Sequence, residues 1–195
     1  NSQSDADATA QPEVDAITSA TSRPNQVSFN GRIVLPPQRQ ATVALTIGGV
    51  IKNTSLLPGQ HVTKNSVIAT LENPEFITLQ QTYLDSHAQT EYLRMEYERQ
   101  KNLSAEQAAS QKKFQQSKAD YLSMKSRQDA AAAQLSLLGV NPETLLRDGI
   151  QPLLEVKAPI SGYVVNVAMN MGKYINPGEA LCEVIDKSAP MLCLT

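Results

Sequence analysis

The chain has 195 residues, 41% of them hydrophobic, enough for one sizeable domain or a string of small ones. A formal net charge of −2 leaves no electrostatic footprint for nucleic acid, and no apolar run approaches the roughly 18 residues that span a bilayer. Aromatic content of 5% with no Trp argues against one aromatic-rich core and favours an elongated, Ala- and Gln-rich molecule.

Residues 1–26 are polar and mildly acidic, with Asp5, Asp7, Glu13 and Asp15, and read as a disordered tether. The start, Asn1-Ser2-Gln3, has the look of a mature or trimmed terminus. Val27, Phe29, Gly31, Ile33 and Leu35 alternate as a strand does until Pro36-Pro37 stops them. Thr42–Ile47, Val50–Leu56 and Ser66–Leu71 follow as short strands separated by Gly48-Gly49 and Pro58-Gly59, the spacing of a small β sandwich.

At Asn73-Pro74-Glu75 the period changes from two to about 3.6. Asn73 suits a cap, Pro74 the first helical position and Glu75 the positive end of the helix dipole. No Gly or Pro interrupts the chain from there to about Ala105, some 45 Å of helix. A second run extends from Ser110 to Leu138 and meets a natural C-cap at Gly139. Phe114, Tyr121, Gln128 and Leu135 recur every seven residues, interleaved with Ser117, Met124, Ala131 and Leu138, which is a coiled-coil seam. Leu79, Tyr83, Thr90, Leu93 and Tyr97 supply the opposing seam, so residues 74–140 are expected to form an antiparallel hairpin. Residues 141–150 hold a short connecting helix, begun by Asn141-Pro142-Glu143 and closed by Gly149, after which Leu153–Val156 re-enters the sandwich.

Residues Gly49–Asn73 overlay Gly162–Asp186 without a gap, aligning Gly49 with Gly162, Asn53 with Asn166 and Gly59 with Gly172. Shared apolar alternation places turns and inward-facing side chains at matching points in two half-sheets. Neither half can bury its apolar face alone, so residues 41–73 and 151–187 are expected to pair into one sandwich. Gly59 and Gly172 are expected in equivalent turns with positive φ or no room for a Cβ. The segments 27–40 and 188–195 lie outside the repeat and read as pieces of a third domain, so the chain is expected to be part of a longer protein.

Chemistry-bearing residues are sparse. Cys182 and Cys193 read as small buried thiols, and His61 and His87 as structural or solvated side chains. Met169 and Met171 would present two thioethers on one strand face to a soft metal such as Cu(I) or Ag(I), an incomplete site, so no metal centre is expected. No nucleophile–base pair, phosphate loop or metal triad has supporting spacing, and the chain does not read as an enzyme.

The half-motifs, the segment Leu71-Glu72-Asn73-Pro74-Glu75-Phe76 followed by Leu79-Gln80-Gln81-Thr82-Tyr83-Leu84, and Arg99, Leu103 and Ser110 at a hairpin-tip spacing together carry a resemblance. From about residue 27 onward the chain resembles the periplasmic adaptor subunits, or membrane fusion proteins, of tripartite RND-type efflux pumps (HlyD-like). The wording around Leu35-Pro36-Pro37 and Asn73–Phe76 is most similar to the heavy-metal branch. The resemblance implies a split biotinyl/lipoyl-like β sandwich with an inserted antiparallel α-helical coiled-coil hairpin, plus fragments of a β-barrel domain. It implies an inner-membrane RND transporter and an outer-membrane TolC-like channel as partners, self-association into a ring or sleeve, no cofactor, and a periplasmic site with the N-terminus anchored at the inner membrane. Heavy-metal cations are the implied substrate, with drugs as the alternative.

At the tip, Ser110 is placed to cap the returning helix, Leu103 to enter a partner's groove and Arg99 to bond partner carbonyls or carboxylates. Two other readings stand beside this one. One is the adaptor of an ABC or type I secretion exporter. The other is a biotin or lipoate carrier modified at Lys187 in Asp186-Lys187-Ser188, disfavoured because the modified lysine of carriers sits in the turn between half-motifs.

Overall fold

A computed structural model describes residues 31–34, 37–104, 111–188 and 191–194. The segment 1–26, the start of the Val27–Leu35 strand and Ser110 lie outside the described residues. In chain order the first half contributes β1 (Gly31–Val34), a 3-10 turn (Pro37–Arg39), β2 (Gln40–Ala44), β3 (Gly49–Thr54), β4 (His61–Val62) and β5 (Val67–Glu72). Three helices follow: α1 (Pro74–Ser104), α2 (Gln111–Leu137) and α3 (Pro142–Asp148). The second half supplies β6 (Leu154–Lys157), β7 (Gly162–Val165), β8 (Tyr174–Ile175), β9 (Ala180–Ile185) and β10 (Met191–Leu194).

Two four-stranded antiparallel sheets, ordered β2-β9-β7-β4 and β6-β5-β3-β8, face one another. Adding 113 to the residue numbers of the first half converts one sheet into the other, so the sandwich has an internal pseudo-twofold axis. This corrects the expectation of two half-sheets: each half divides its strands between both sheets. The cause lies in the edges, since β5 pairs β3 on one side and needs β6 on the other, while β9 pairs β7 and needs β2. The repeat also reaches further back than the glycines reveal. β2 and β6 share an inward-outward alternation, with Val43 and Val156 buried at equivalent positions, though little sequence identity accompanies it.

Equivalence extends to individual hydrogen bonds. Gly59 N–H donates to Val164 O at 2.7 Å and Gly172 N–H to Ile51 O at 2.8 Å, each a half lending its turn to the other half's strand. Asn65 N–H donates to Ala158 O and Gly178 N–H to Leu45 O in the same way, and both turn residues are left-handed, φ 68° and 79°. The core between the sheets is aliphatic, with Ile51, Leu71, Leu154, Val164, Ile175, Leu181 and Val184 fully buried.

The repeat glycines divide into two kinds. Gly59 and Gly172 have φ of 83° and 81° with open space where a Cβ would lie, so alanine meets only backbone strain. At Gly162 a Cβ would overlap the carbonyl of Ile185, and at Gly49 it would lie 2.5 Å from Glu72 O. Gly59→Ala and Gly172→Ala are each expected to cost about 1 kcal/mol. Gly162→Ala is expected to cost about 3 kcal/mol, because a backbone carbonyl cannot give way as a flexible side chain can. Chemical denaturation of the three variants measures both the equality of the first pair and the gap to the third.

The helices are antiparallel, as the descending order of facing pairs requires. Tyr97 stacks on Phe114 and Tyr121 at centroid distances of 5.6 and 5.7 Å, and His87 Nδ1 lies 2.9 Å from the Gln128 amide. All eight positions of the second seam face inward or are half-buried. On α1 the fully buried residues are Phe76, Gln80, Tyr83, Ser86 and Thr90, so Leu79 and Leu93 are only half-buried at its margin. The displacement has a chemical reason, since polar seam residues close their bonds within the backbone: Ser86 Oγ donates to Thr82 O and Thr90 Oγ1 to Ser86 O. α2 ends in a left-handed Gly139, φ 77°, with Val140 N–H returning to Leu135 O. Asn141 caps α3 through Glu143 N–H, and Gly149 closes it. β1 and β10, from the two ends of the described chain, pair antiparallel as a separate two-stranded ribbon.

Candidate functional site

The insertion point of α1 is over-determined. Asn73 is buried; its Oδ1 accepts from Phe76 N–H at 3.1 Å, and its Nδ2 donates to Gly48 O in the sandwich at 2.5 Å. One turn on, Gln80 has no exposed surface. Its amide donates to Phe76 O and to Gln151 O, while its Oε1 accepts from Gln151 N–H at 2.7 Å. Gln80 therefore acts as a surrogate strand partner, tying the first helix to the segment that leads into β6. Sequence reading missed this role because a Gln in a Gln-rich helix carries no periodic signal; its place one turn after a capped Pro, on the Phe76–Tyr83 stripe, was the available clue.

α1 has 31 residues, so its far end stands about 46 Å from Asn73. There Arg99 is 65% exposed at its side chain and its Nη1 donates to Glu96 Oε2 at 2.7 Å. One partner on a guanidinium with five N–H groups leaves the others free to bond elsewhere. Leu103 is 48% exposed within the last described turn of α1. Arg99 and Leu103 share the side of α1 turned away from α2, four residues apart. Nearer the base, Arg94 bridges Glu91 at 3.0 Å and Glu98 at 3.5 Å.

The remaining candidates sit apart from this end. Met169 and Met171 do not share a strand face: β7 stops at Val165, Asn166 takes φ 51°, and the chain leaves the sheet before the Gly172 turn. Met169 consequently packs into the core at 6% exposure while Met171 is 64% exposed, so the two thioethers do not converge. His61 packs edge-on against Tyr163, whose ring also carries the Lys187 ammonium at 5.1 Å. Lys187 follows the last sandwich strand, and the connection between the halves is the helical insertion, which removes the geometry a carrier lysine uses.

Cys182 is fully buried in β9, and desolvation, with a smaller contribution from Glu183, pushes its thiol up to about 11. Its thiolate is the disfavoured form, so iodoacetamide at pH 8 is expected to leave Cys182 unmodified in the folded protein and to alkylate it in denaturant. The folded pKa is above the unfolded one, so this group's contribution to stability is intact below pH 9 and is lost between about 9 and 11. Peptide mass spectrometry of the Cys182 fragment is the readout.

At the foot of the hairpin a shallow groove of about 220 Å³ is lined mainly by Ile47, Phe76, Leu79, Leu137 and Leu138. No helix among the described residues is long and apolar enough to cross a membrane.

The sequence matches the family described as CzcB-like, barrel-sandwich hybrid domain, over residues 39–186. No curated protein matches the chain. Among solved structures, ZneB from Cupriavidus metallidurans is similar at 24% identity and a TM-score of 0.55, over 85% of this chain and 68% of that one. A putative efflux transporter from Bacteroides eggerthii is similar at 23% identity and a TM-score of 0.57, over 87% of this chain and 49% of the other. A MacA-MexA chimera carrying the Pseudomonas aeruginosa MexA α-hairpin domain aligns with a TM-score of 0.60 at 21% identity, over 83% of this chain and 52% of its own. The chain thus spans about half to two thirds of the length of these structures. The 148-residue match, covering the sandwich and its helical insertion together, identifies the chain as a member of the CzcB-like membrane fusion proteins, the periplasmic adaptors of efflux systems.

Proposed function

We propose that this chain links an inner-membrane RND transporter to an outer-membrane TolC-like channel and that the exported substrate is a heavy-metal cation. The family match over the split sandwich and its insertion carries this reading. On it, the sandwich fixes the base of the hairpin through Asn73 and Gln80, and the 31-residue α1 holds Arg99 and Leu103 at a distance suited to meeting the channel. The protein works as a structural conduit, several copies enclosing the substrate's path, rather than as an enzyme. The N-terminal segment tethers it to the inner membrane, and the β1–β10 ribbon belongs to a β-barrel domain.

Metal loading of cells tests the substrate class. A strain lacking this adaptor is expected to retain more Zn(II), Cd(II) or copper than its parent after a pulse, and a plasmid copy is expected to restore the parent's level. Unchanged metal retention together with raised retention of a drug would transfer the reading to drug export.

A further inference from the structure

Three elements meet at the groove beside the hairpin foot. Ile47 comes from the connection between β2 and β3, Glu75 and Leu79 from the first turns of α1, and Gln134, Leu137 and Leu138 from the end of α2. The walls are apolar. The core takes Leu135 and Leu138 from the end of α2 and leaves Leu137 outside at 79% exposure, the highest of any large apolar side chain among the described residues. An apolar cavity of about 150 Å³ holds benzene, so a groove of about 220 Å³ has room for a phenyl ring and a short chain.

One charged side chain stands on the rim. The Glu75 carboxylate belongs to no ion pair among the described residues, whereas Glu72, just before it, is matched by Lys52 at 2.6 Å. No basic residue lines the groove. α1 begins at Pro74 and α2 ends at Leu137, so the positive end of one helix lies beside the negative end of the other and their fields largely cancel. Glu75 therefore leaves the groove with a net negative charge. The hydroxyl of Thr46 and the amide of Gln134 are the only other polar side chains on it, and both are neutral.

We propose that this groove binds a small amphiphilic organic cation, an amine or quaternary ammonium carried on an aryl or short alkyl body. The body lies against Leu79, Leu137 and Leu138, and the ammonium faces Glu75. Apolar walls with a single uncompensated carboxylate select this occupant over a neutral or anionic molecule of the same shape. The bound molecule touches the sandwich and both helices at once, next to the Asn73 anchor, and so bears on the joint from which the hairpin projects. The site does not depend on the substrate or partners proposed above.

Methyl NMR titration of the whole chain tests it, with phenylbutylammonium, phenylbutanol and phenylbutanoate as three probes of one shape. The ammonium probe is expected to shift the methyls of Ile47, Leu79, Leu137 and Leu138 while the core methyls of Ile51 and Leu181 stay in place. It is expected to bind about fivefold tighter than the alcohol, the scale of one partly exposed ion pair, and the carboxylate is expected to bind weakest. Glu75→Gln is expected to bring the ammonium down to the affinity of the alcohol and to leave the alcohol unaffected. Because Glu75 also lies in the first turn of α1, a gain of function is the second arm: Gln134→Glu adds a carboxylate from α2 and is expected to tighten ammonium binding about threefold. Equal binding of the three probes, unchanged ammonium affinity in Glu75→Gln, or no shift of these four residues at millimolar probe would overturn the proposal. Shifts of the same methyls on raising the protein concentration without a probe would give the groove to a second copy of this chain and overturn it as well.

Discussion

Charge reversal at Arg99 is expected to abolish export in cells while leaving helix content and melting temperature nearly unchanged. On the proposed docking role, Arg99→Asp removes a charged hydrogen bond to the channel and replaces it with a carboxylate facing the same acceptors, an effect of about 2–5 kcal/mol on association. Its structural cost is small. Arg99 is exposed, and the ion pair it loses with Glu96 is an i,i+3 surface contact of about 0.2–0.5 kcal/mol. Leu103→Ser is expected to lower export by removing apolar contact, again with little effect on folding. Arg94 needs a gentler control than reversal, because a carboxylate there would stand among Glu91 and Glu98, so Arg94→Gln is the variant expected to export normally. Export by the Arg99→Asp protein at wild-type rate and normal expression would remove the docking role and leave the hairpin as a spacer.

The sequence signals that survived contact with the structure are those with a strong local cause. Asn73-Pro74-Glu75 starts α1 because a capping amide, a fixed φ and a dipole-compatible carboxylate coincide, and Gly139 ends α2 within one residue of its expected place. The eight-residue seam of α2 was readable because seven-residue periodicity survives even when its members are as polar as Gln128 and Ser117. Legibility failed where partners came from distant segments. The exchange of strands between sheets depends on edge pairing across more than eighty residues, which no local pattern encodes. Met169 and Met171 looked like strand neighbours until a left-handed Asn166 turned the chain out of the sheet. Arg99 and Leu103 were singled out only through the resemblance to a family's tip motif, and Gln80 was invisible because its partner, Gln151, is seventy-one residues away.

Gln80 accordingly bears the second large expectation. Gln80→Leu keeps the approximate volume and the helix propensity of the side chain, so neither a cavity nor a weakened α1 is created. What changes is the accounting at Gln151: its N–H and C=O both lose their partner, at a site where Gln80 itself is fully buried. Gln151 itself is exposed, so water takes over both groups, and the expected loss is that of two hydrogen bonds, about 1–3 kcal/mol. Chemical denaturation of the variant measures this directly. The functional consequence is separate, because the bond fixes the angle at which a 31-residue lever leaves the sandwich. A few degrees at Gln80 move the far end of a 46 Å helix by several ångströms, so export is expected to fall even at temperatures where Gln80→Leu is folded. Gln80→Glu puts a carboxylate in a fully buried site against the carbonyls of Phe76 and Gln151, and is expected to be more destabilising than Gln80→Leu at neutral pH and to recover at acid pH, where a protonated carboxyl donates to one of them. A Gln80→Leu protein as stable and as active as the wild type would show that Asn73 alone holds the hairpin in place.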